Sequence, residues 1–478
     1  MTSDAPWDLA VVGGGIAGLA AAWRAHQLGW RVLVLEAGRV VGGKMRSEIK
    51  DGYLVEHGQW HLRPTDTALW QLISEVGLDD QVLAAPPSAS RFVYRDRALR
   101  TRPNNLAEVL TGDSISSAAK LRLLAEPVIP GDAQPDDTVW SFGLRRLGEE
   151  ATSYLLGPEV VDGFAGDVRQ LGARDALGPL WQWEHDAGSL ALGVLFGGQR
   201  RSESTLRRRR PGIYALRDGM GSLPKGLAAA LPDQSVHCSA PVQAMQRLPD
   251  GRWRLRLNAH AAEGPAEFTA LRVIVATPPR TASELLHELS PRAAAELADV
   301  HCVRLAVVHV GAPADAALPA HGIGVVFPPG AGLRTLALGL PSTCFAGRAP
   351  AGHSLYTGIL GGALDPEAAD LSDETLVSLV ERAYGVAFSP ERARPAAATF
   401  HSVVRWRDAL PQFRVGHMDS MQLAQHSLST DCLGLALAGN YLHGVGAAAA
   451  AASGMAAVEQ LAGEPAPAKT NTADRERK

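Results

Sequence analysis

Three features of this 478-residue chain predict an α/β fold opened by a dinucleotide-binding unit. The first is the stretch Val11-Val12-Gly13-Gly14-Gly15-Ile16-Ala17-Gly18-Leu19, in which Gly13, Gly15 and Gly18 form a GxGxxG turn between an apolar strand and an Ala-rich helix. The second is Glu36, which closes the next strand about twenty residues past the glycines, where a ribose-binding carboxylate belongs. The third is the order of patterns downstream: helical periodicity over residues 106–195, then strand signals over 303–414.

Taken in order, residues 9–12 read as a strand, 19–28 as a helix and 31–35 as a second strand. The first glycine of the turn permits a tight reversal. The second lets backbone amides, with Ile16 and Ala17 beside it, approach a pyrophosphate, and the third allows close helix–strand packing. The helix N-terminus adds positive partial charge. Leucines at three and four spacing mark helices near 121–124 and 144–156. The run Arg207 to Arg210, bounded by glycines and proline, reads as a solvated loop, with anionic lipid as its sharper alternative. Strands at 252–257 and 267–271 are expected to pair, followed by Val273-Ile274-Val275-Ala276-Thr277. Further strands are expected at 305–310, 324–327, 335–340 and 356–360, with a helix near 373–383 and a last helix from Gly446 to about 461. Residues 464–478 read as a disordered tail.

Composition limits the function classes. Charged residues are 20% and hydrophobic ones 46%, a globular balance that suggests two or three domains at this length. With 46 Lys and Arg against 50 Asp and Glu, the net charge of -4 gives no general affinity for nucleic acid. Four scattered cysteines form no metal-ligand spacing and suit a reducing cytoplasm, and no metal is expected. No stretch reaches the ~18–20 apolar residues that span a bilayer, so a soluble or peripheral protein is expected. There is no GxSxG elbow and no HExxH.

Just past Glu36, Ala37-Gly38-Arg39-Val40-Val41-Gly42-Gly43-Lys44-Met45 supplies a second glycine pair. This resembles the extended motif of glutathione-reductase-type FAD proteins, particularly the amine oxidase and phytoene desaturase branch. The resemblance implies FAD, with Gly42 and Gly43 letting the chain pass close to the cofactor and Lys44 and Arg46 near its pyrophosphate. Those relatives place Arg four residues after the acid, where this chain has Val40.

A narrower resemblance covers nearly the whole chain. Asp51-Gly52-Tyr53 with Val55-Glu56, residues 121–127 (LRLLAEP), Arg145-Arg146-Leu147-Gly148, and Gly163-Phe164-Ala165-Gly166-Asp167 are similar to segments of the oxygen-dependent protoporphyrinogen and coproporphyrinogen oxidase family. So are residues 411–417 (PQFRVGH), and Ala438-Gly439-Asn440 with Gly444-Val445-Gly446. Two departures stand out: His57-Gly58-Gln59-Trp60-His61 where relatives carry Gly-Pro, and Ala448 to Ala451 where they carry a polar pair.

The resemblance implies a Rossmann-type FAD-binding domain assembled from 1–90, 206–285 and 428–463, a helical insertion at 91–205 facing substrate or membrane, and a mixed-sheet, β-rich substrate domain at 286–427. It implies cofactor contacts at Gly13, Gly15, Ile16, Ala17, Gly18, Glu36, Ala37, Gly42, Gly43, Lys44, Gly58, Gln59, Trp60, Val242, Ala276, Gly439, Asn440, Gly446 and Ala447. For the substrate it implies Arg91 as a carboxylate anchor, with Gly166, Ile323, Val326 and Ile359 walling an apolar slot. No catalytic side chain is expected, because the cofactor carries the chemistry. The implied reaction is dehydrogenation of a porphyrinogen to the porphyrin in heme biosynthesis, six electrons in three rounds, with dioxygen reduced to peroxide. The alternative is an amine oxidase-like or desaturase-like flavoenzyme of a secondary pathway. Partners are then the tetrapyrrole and dioxygen. The chain is expected to be cytoplasmic, a monomer or homodimer, with peripheral contact to the inner membrane face through its insertion.

Overall fold

In the computed structural model, residues 6–197, 212–258, 265–314, 322–388 and 397–464 are described, with backbone only for 194–197. The arginine run and the C-terminal tail lie outside the described residues.

The N-terminal strand Trp7–Val12 lies between Val32–Leu35 and Glu267–Val275, parallel to both. Leu435–Leu437 joins the far end of Glu267–Val275, again in parallel. Trp253–Leu257 pairs antiparallel with Glu267–Val275, as the sequence pattern at 252–271 anticipated, and Val242–Arg247 adds a further antiparallel strand at the edge. Because successive side chains on a strand point to opposite faces, two apolar layers result. Leu9, Val11, Val34 and Ile274 pack under Ile16–Gln27, Thr67–Glu75, Ser222–Ala230 and Ala447–Gly463. Ala10, Val12, Leu33, Leu35, Val273 and Val275 pack under Pro279–Leu286, Pro291–Ala298 and His417–Asp431. Helices thus cover both faces, as parallel strands buried on both sides require. Each fully buried leucine contributes about 2 kcal/mol.

The second sheet runs in the order Phe400–Pro411, Cys302–Pro313, His353–Gly361, Thr335–Gly339, Gly322–Val326, Ser90–Arg95 and Ala98–Thr101. Its pairs are antiparallel except Gly322–Val326 against Ser90–Arg95. One face, with Val308, Val310, Val325, Leu338, Tyr356 and Leu360, is closed by the helix Asp373–Phe388. The sequence-based boundary at residue 91 therefore departs from the structure. Residues 90–101 are a hairpin of this sheet, turning at Asp96 and Arg97 with φ of 51° and 60°. The helices of the insertion begin only at Leu106–Thr111.

The insertion is held by buried charge pairs. Arg146 is fully buried against Glu126, and Glu184, 1% exposed, accepts from Arg145 at 2.9 Å. Glu126 also accepts the amides of Leu190 (2.8 Å) and Ala191 (3.2 Å), fixing the start of Leu190–Gly197. Asp175 reaches out of the insertion to accept the amide of Met418 at 2.7 Å, which ties this unit to the helix His417–Asp431.

The first and last helices meet with almost no side chain between them. A Cβ on Gly454 would lie 2.0 Å from the Ala17 carbonyl oxygen, and Ala20, Ala21, Ala450, Ala451 and Ala457 fill the same contact. The Ala448 to Ala451 run, a departure in the sequence, is thus the small-residue surface that this approach needs. Gly454→Ala is expected to cost about 1–3 kcal/mol of stability through overpacking and to lower the flavin content of the purified protein, read by urea denaturation and visible absorbance.

Candidate functional site

The carboxyl ends of five parallel strands, the four above and Val236–His237 beside Val32–Leu35, lie at one end of the sheet, where open α/β sheets place their ligands in a crevice. Gly13, with φ +109°, sits so tightly that a Cβ would lie 2.7 Å from the Ala276 carbonyl oxygen. Gly18 is equally constrained, its Cβ position falling 1.9 Å from the Gly13 oxygen. Gly15 differs: nothing lies within 4 Å of its Cβ position, so its outer side is open. Gly15 is also the N-cap of Ile16–Gln27 and provides no side chain to cap it. The first-turn amides, including those of Ile16, Ala17 and Gly18, therefore point at the crevice unsatisfied, a ready anion site.

The second glycine pair lies across this turn. Gly42 bridges to Gly15, its amide donating to the Gly14 oxygen at 2.8 Å, and Gly43 leaves 3.4 Å between its Cβ position and the Gly15 Cα. Glu36 accepts the Gly14 amide at 2.6 Å and the Gly38 amide at 2.7 Å. A carboxylate has about four acceptor positions, so two remain for vicinal hydroxyls. Ala37 is exposed beside it, and Val242 opens the edge strand of the same sheet. Uncapped amides, a side-chain-free approach and a carboxylate with spare acceptors fit an adenine-dinucleotide phosphate and ribose.

At the last helix, Gly446 is the N-cap and Ala447 the first residue, again with no capping side chain. The Gly439 amide donates to Ser453 Oγ at 2.9 Å, and Asn440 Nδ2 donates to the Val445 oxygen at 3.0 Å. His417 Nε2 pairs with the Tyr441 oxygen at 2.7 Å. These side chains shape the backbone of the loop ahead of that helix.

The free face of the second sheet closes over residues 56–61. His309 Nε2 donates to the Glu56 carbonyl at 2.9 Å, and Trp406 Nε1 donates to that of His57 at 2.7 Å. A Cβ on Gly58 would meet the Lys44 oxygen at 2.5 Å, so this position must be glycine. Gln59 Nε2 donates to the His61 carbonyl at 2.9 Å, and the Trp60 indole lies 3.4 Å from the Gly339 Cβ position. Together Leu54, Glu56, Gly58, Trp60, Gly339 and Ile359 line a cavity of about 40 Å³, room for a water or two. A larger open cleft of about 600 Å³ lies elsewhere, lined by Arg280, His301, Cys302, Asp408 and Arg414. There the arginines stand among carboxylates.

The expected slot residues separate into two groups. Val326 and Ile359 share a cluster with Val161, Leu336 and Ala165, the neighbour of Gly166. Gly166 itself is buried against Gln412 and Leu171. Ile323 belongs to another cluster, with Trp60, Ile213 and Phe345. The cause is a register shift between Gly322 and Gly324, which re-aims Ile323. The expected cations are also occupied. Lys44 donates to the Ala409 carbonyl at 2.7 Å, and burial pushes its pKa down; Arg46 bonds His57 Nδ1 at 3.0 Å. Arg91 sits on Ser90–Arg95 opposite Gly324, and its side chain meets only Asn104 Oδ1, at 3.5 Å.

Sequence reasoning assigned no role to two buried titratable groups. Glu56, 4% exposed, accepts Ser47 Oγ at 2.5 Å and the Met220 amide at 2.8 Å. Burial pushes its pKa up to about 7, opposed by those two hydrogen bonds and by Arg348. His309 is pushed down to about 4 by burial and accepts at Nδ1 from Thr357, 3.0 Å away. A lone charged or imidazole residue inside an apolar strand, as in YLVE (53–56) and LAVVHV (305–310), was the available signal.

Glu56 prefers its protonated form in the folded state. Its contribution to stability is therefore complete below pH 4.5 and is lost as pH rises through about 7. Relative to Glu56→Gln, the wild-type protein is expected to lose up to about 3 kcal/mol across that window, measured by denaturant unfolding at several pH values. Parallel pH profiles for the two proteins would contradict the assignment.

The chain's relatives agree with this geometry. Residues 16–462 match the family described as flavin containing amine oxidoreductase. The chain is 31% identical over 490 residues to protoporphyrinogen oxidase of Homo sapiens, covering 95% of this chain and 98% of that one. It is 29% identical over 461 residues to the chloroplastic protoporphyrinogen oxidase 1 of Arabidopsis thaliana, covering 92% and 84%. Among solved structures, a provisionally named protoporphyrinogen oxidase from Exiguobacterium sp. 255-15 superposes with a TM-score of 0.78 at 23% identity, covering 96% and 99%. Cyclohexylamine oxidase from Brevibacterium oxydans IH-35A shares the fold at a TM-score of 0.69 and 16% identity, again covering 96% and 99%. The chain belongs to the flavin-containing amine oxidoreductase family, as a divergent, protoporphyrinogen oxidase-like, flavin-dependent oxidoreductase.

Proposed function

We propose that this protein oxidises a porphyrinogen, protoporphyrinogen IX or coproporphyrinogen III, to the porphyrin in heme biosynthesis, with FAD as cofactor and dioxygen as the final acceptor. Overall, one porphyrinogen and three dioxygen molecules give one porphyrin and three hydrogen peroxide molecules. Bound FAD would supply hydride acceptance from a carbon and return of the electrons to dioxygen.

The protein's own part is binding, orientation and exclusion of water. The unsatisfied amides around Gly15 to Gly18, the Gly42–Gly43 approach and Glu36 would hold the phosphates and ribose. The amides from Gly446 and Ala447 onward would face the isoalloxazine. Gly58, Gln59 and Trp60 would lie between cofactor and substrate sheet, where Val326 and Ile359 with Leu336 and Val161 give an apolar wall. Such a wall suits a ring whose oxidation needs no protein nucleophile.

The observation that carries the reading is Arg91, a guanidinium on the strand beside that apolar face which forms no salt bridge among the described residues. Burial, and then Arg102 beside it, push its pKa down more than Glu159 and Asp162 raise it, so an incoming carboxylate in direct contact would relieve the remaining cost. Protoporphyrinogen oxidases as full-length relatives point the same way. In air, the FAD-loaded protein is expected to generate porphyrin fluorescence from one of the two porphyrinogens well above autoxidation. Arg91→Ala is expected to lower kcat/KM about tenfold or more, mainly through KM, the loss of a charge-assisted hydrogen bond. Absence of porphyrin growth with loaded protein would overturn the reading.

The helical insertion supports peripheral membrane contact. Leu106, Leu121, Leu124 and Val128 are exposed on it, with Lys120 and Arg122 close by in sequence. Among the described residues no helix is long and apolar enough to cross a membrane. The protein is expected to pellet with anionic liposomes and to lose that binding when Leu121, Leu124 and Val128 are changed to serine; no pelleting of the wild type would sink the idea.

A further inference from the structure

One of the two segments in which the sequence departs from the resembled family ends in His61, and the structure gives that imidazole no hydrogen bond among the described residues. Its Nδ1 is sealed from solvent and unpartnered. The ring stands 4.6 Å from the Trp60 ring at 62°. Burial, with Arg63 and Arg91 adding repulsion, pushes its pKa down to about 3. The ring is therefore neutral at physiological pH, with one nitrogen a donor and the other an acceptor. A buried orphan donor is rarer and costlier than an orphan acceptor. We assign the proton to Nε2, which leaves only the Nδ1 lone pair orphaned inside.

The charges around it are unbalanced. Arg102 is neutralised by Glu159 at 2.6 Å and by Asp162. Arg91 and Arg63 form no salt bridge among the described residues: Arg91 bonds Asn104 and feels Glu159 and Asp162 only at a distance, and Arg63 is exposed. Both guanidiniums are near enough to His61 to disfavour its charged form, and the strand that carries Arg91 lies beside Ile323, which packs on Trp60. Planar forks of this kind match carboxylates. One carboxylate would use one fork; two forks with a donor nearby suit a ligand that carries carboxylates on neighbouring arms.

We propose that His61 and Arg63 complete, with Arg91, a corner that binds two adjacent carboxylates of the substrate, His61 donating from Nε2 and Arg63 providing the second cation. The inference rests on the porphyrinogen reading for the identity of the dicarboxylate, and it makes His61 and Arg63 specificity-determining residues. His61 ends the departing segment His57 to His61, and Arg63 follows two residues later.

The test compares a free-acid porphyrinogen with its dimethyl ester in the wild type, Arg63→Gln, His61→Phe and His61→Asn. Flavin absorbance serves as the folding control. The wild type is expected to prefer the diacid, and Arg63→Gln and His61→Phe to shrink that preference about tenfold each, through KM rather than kcat. His61→Asn, which keeps an N–H donor, is expected to restore part of it. An undiminished preference in both Arg63→Gln and His61→Phe overturns the corner. If the wild type oxidises no porphyrinogen, that reading falls separately. Absorbance titration with protoporphyrin and its dimethyl ester then decides, since it needs no turnover. Tighter diacid binding that weakens in Arg63→Gln supports the corner, and equal binding of diacid and ester overturns it.

Discussion

The contact between the first and last helices is the constraint on which the rest of the molecule depends. Both follow strands of one parallel sheet and pack on the same face, so both N-termini open at the carboxyl ends of those strands. Glycine and alanine at Ala17, Ala20, Ala450 and Gly454 bring the two backbones nearly into contact. Larger side chains would force the axes apart and separate the two sets of unsatisfied amides. In the proposed reading, one extended cofactor would touch both. Glycine at 13, 15 and 18 serves the same end one layer in, removing side chains where backbone must meet backbone or phosphate.

A second principle shapes the ground between the two sheets. Burial there disfavours charge on titratable groups: Glu56 is pushed up to about 7, while His309 and His61 are pushed down to about 4 and 3. The buried cation there, Arg348, is spent on the Leu216 and Arg217 carbonyls beside Glu56, while Arg91 and the exposed Arg63 form no salt bridge among the described residues. In the proposed reading, an apolar wall and uncommitted arginines sort a ligand by shape and by the position of its acids, which suits an apolar macrocycle with carboxylate arms. They offer little to an amine, whose cation would meet two guanidiniums.

Much of the nucleotide-binding unit was legible in the sequence, because glycine spacing and strand periodicity are local signals. The strand at Trp7–Val12, the helix from Ile16, the hairpin at 253–271 and the last helix follow from such signals. The hairpin at 90–101 did not announce itself. Its turn uses Asp96 and Arg97 at positive φ, where glycine or asparagine is the usual marker, and so Arg91 was placed in the insertion rather than on the sheet. The re-aiming of Ile323 by a register shift leaves no mark in composition. Nor could periodicity explain Ala448 to Ala451: their meaning lies in the opposing helix, more than four hundred residues away in sequence. His61 was visible as a residue, but its orphaned nitrogen and cationic flank exist only in three dimensions.

The central claim is that a porphyrinogen delivers its electrons to the flavin held by this crevice. Anaerobic mixing of the flavin-loaded protein with protoporphyrinogen IX and, separately, coproporphyrinogen III tests it most directly, with the flavin's visible absorption as the readout. The account predicts rapid bleaching by one of them, recovery on admitting air, and porphyrin and peroxide formed together. A flavin that stays oxidised with both, yet bleaches with an amine or a polyene, would contradict it.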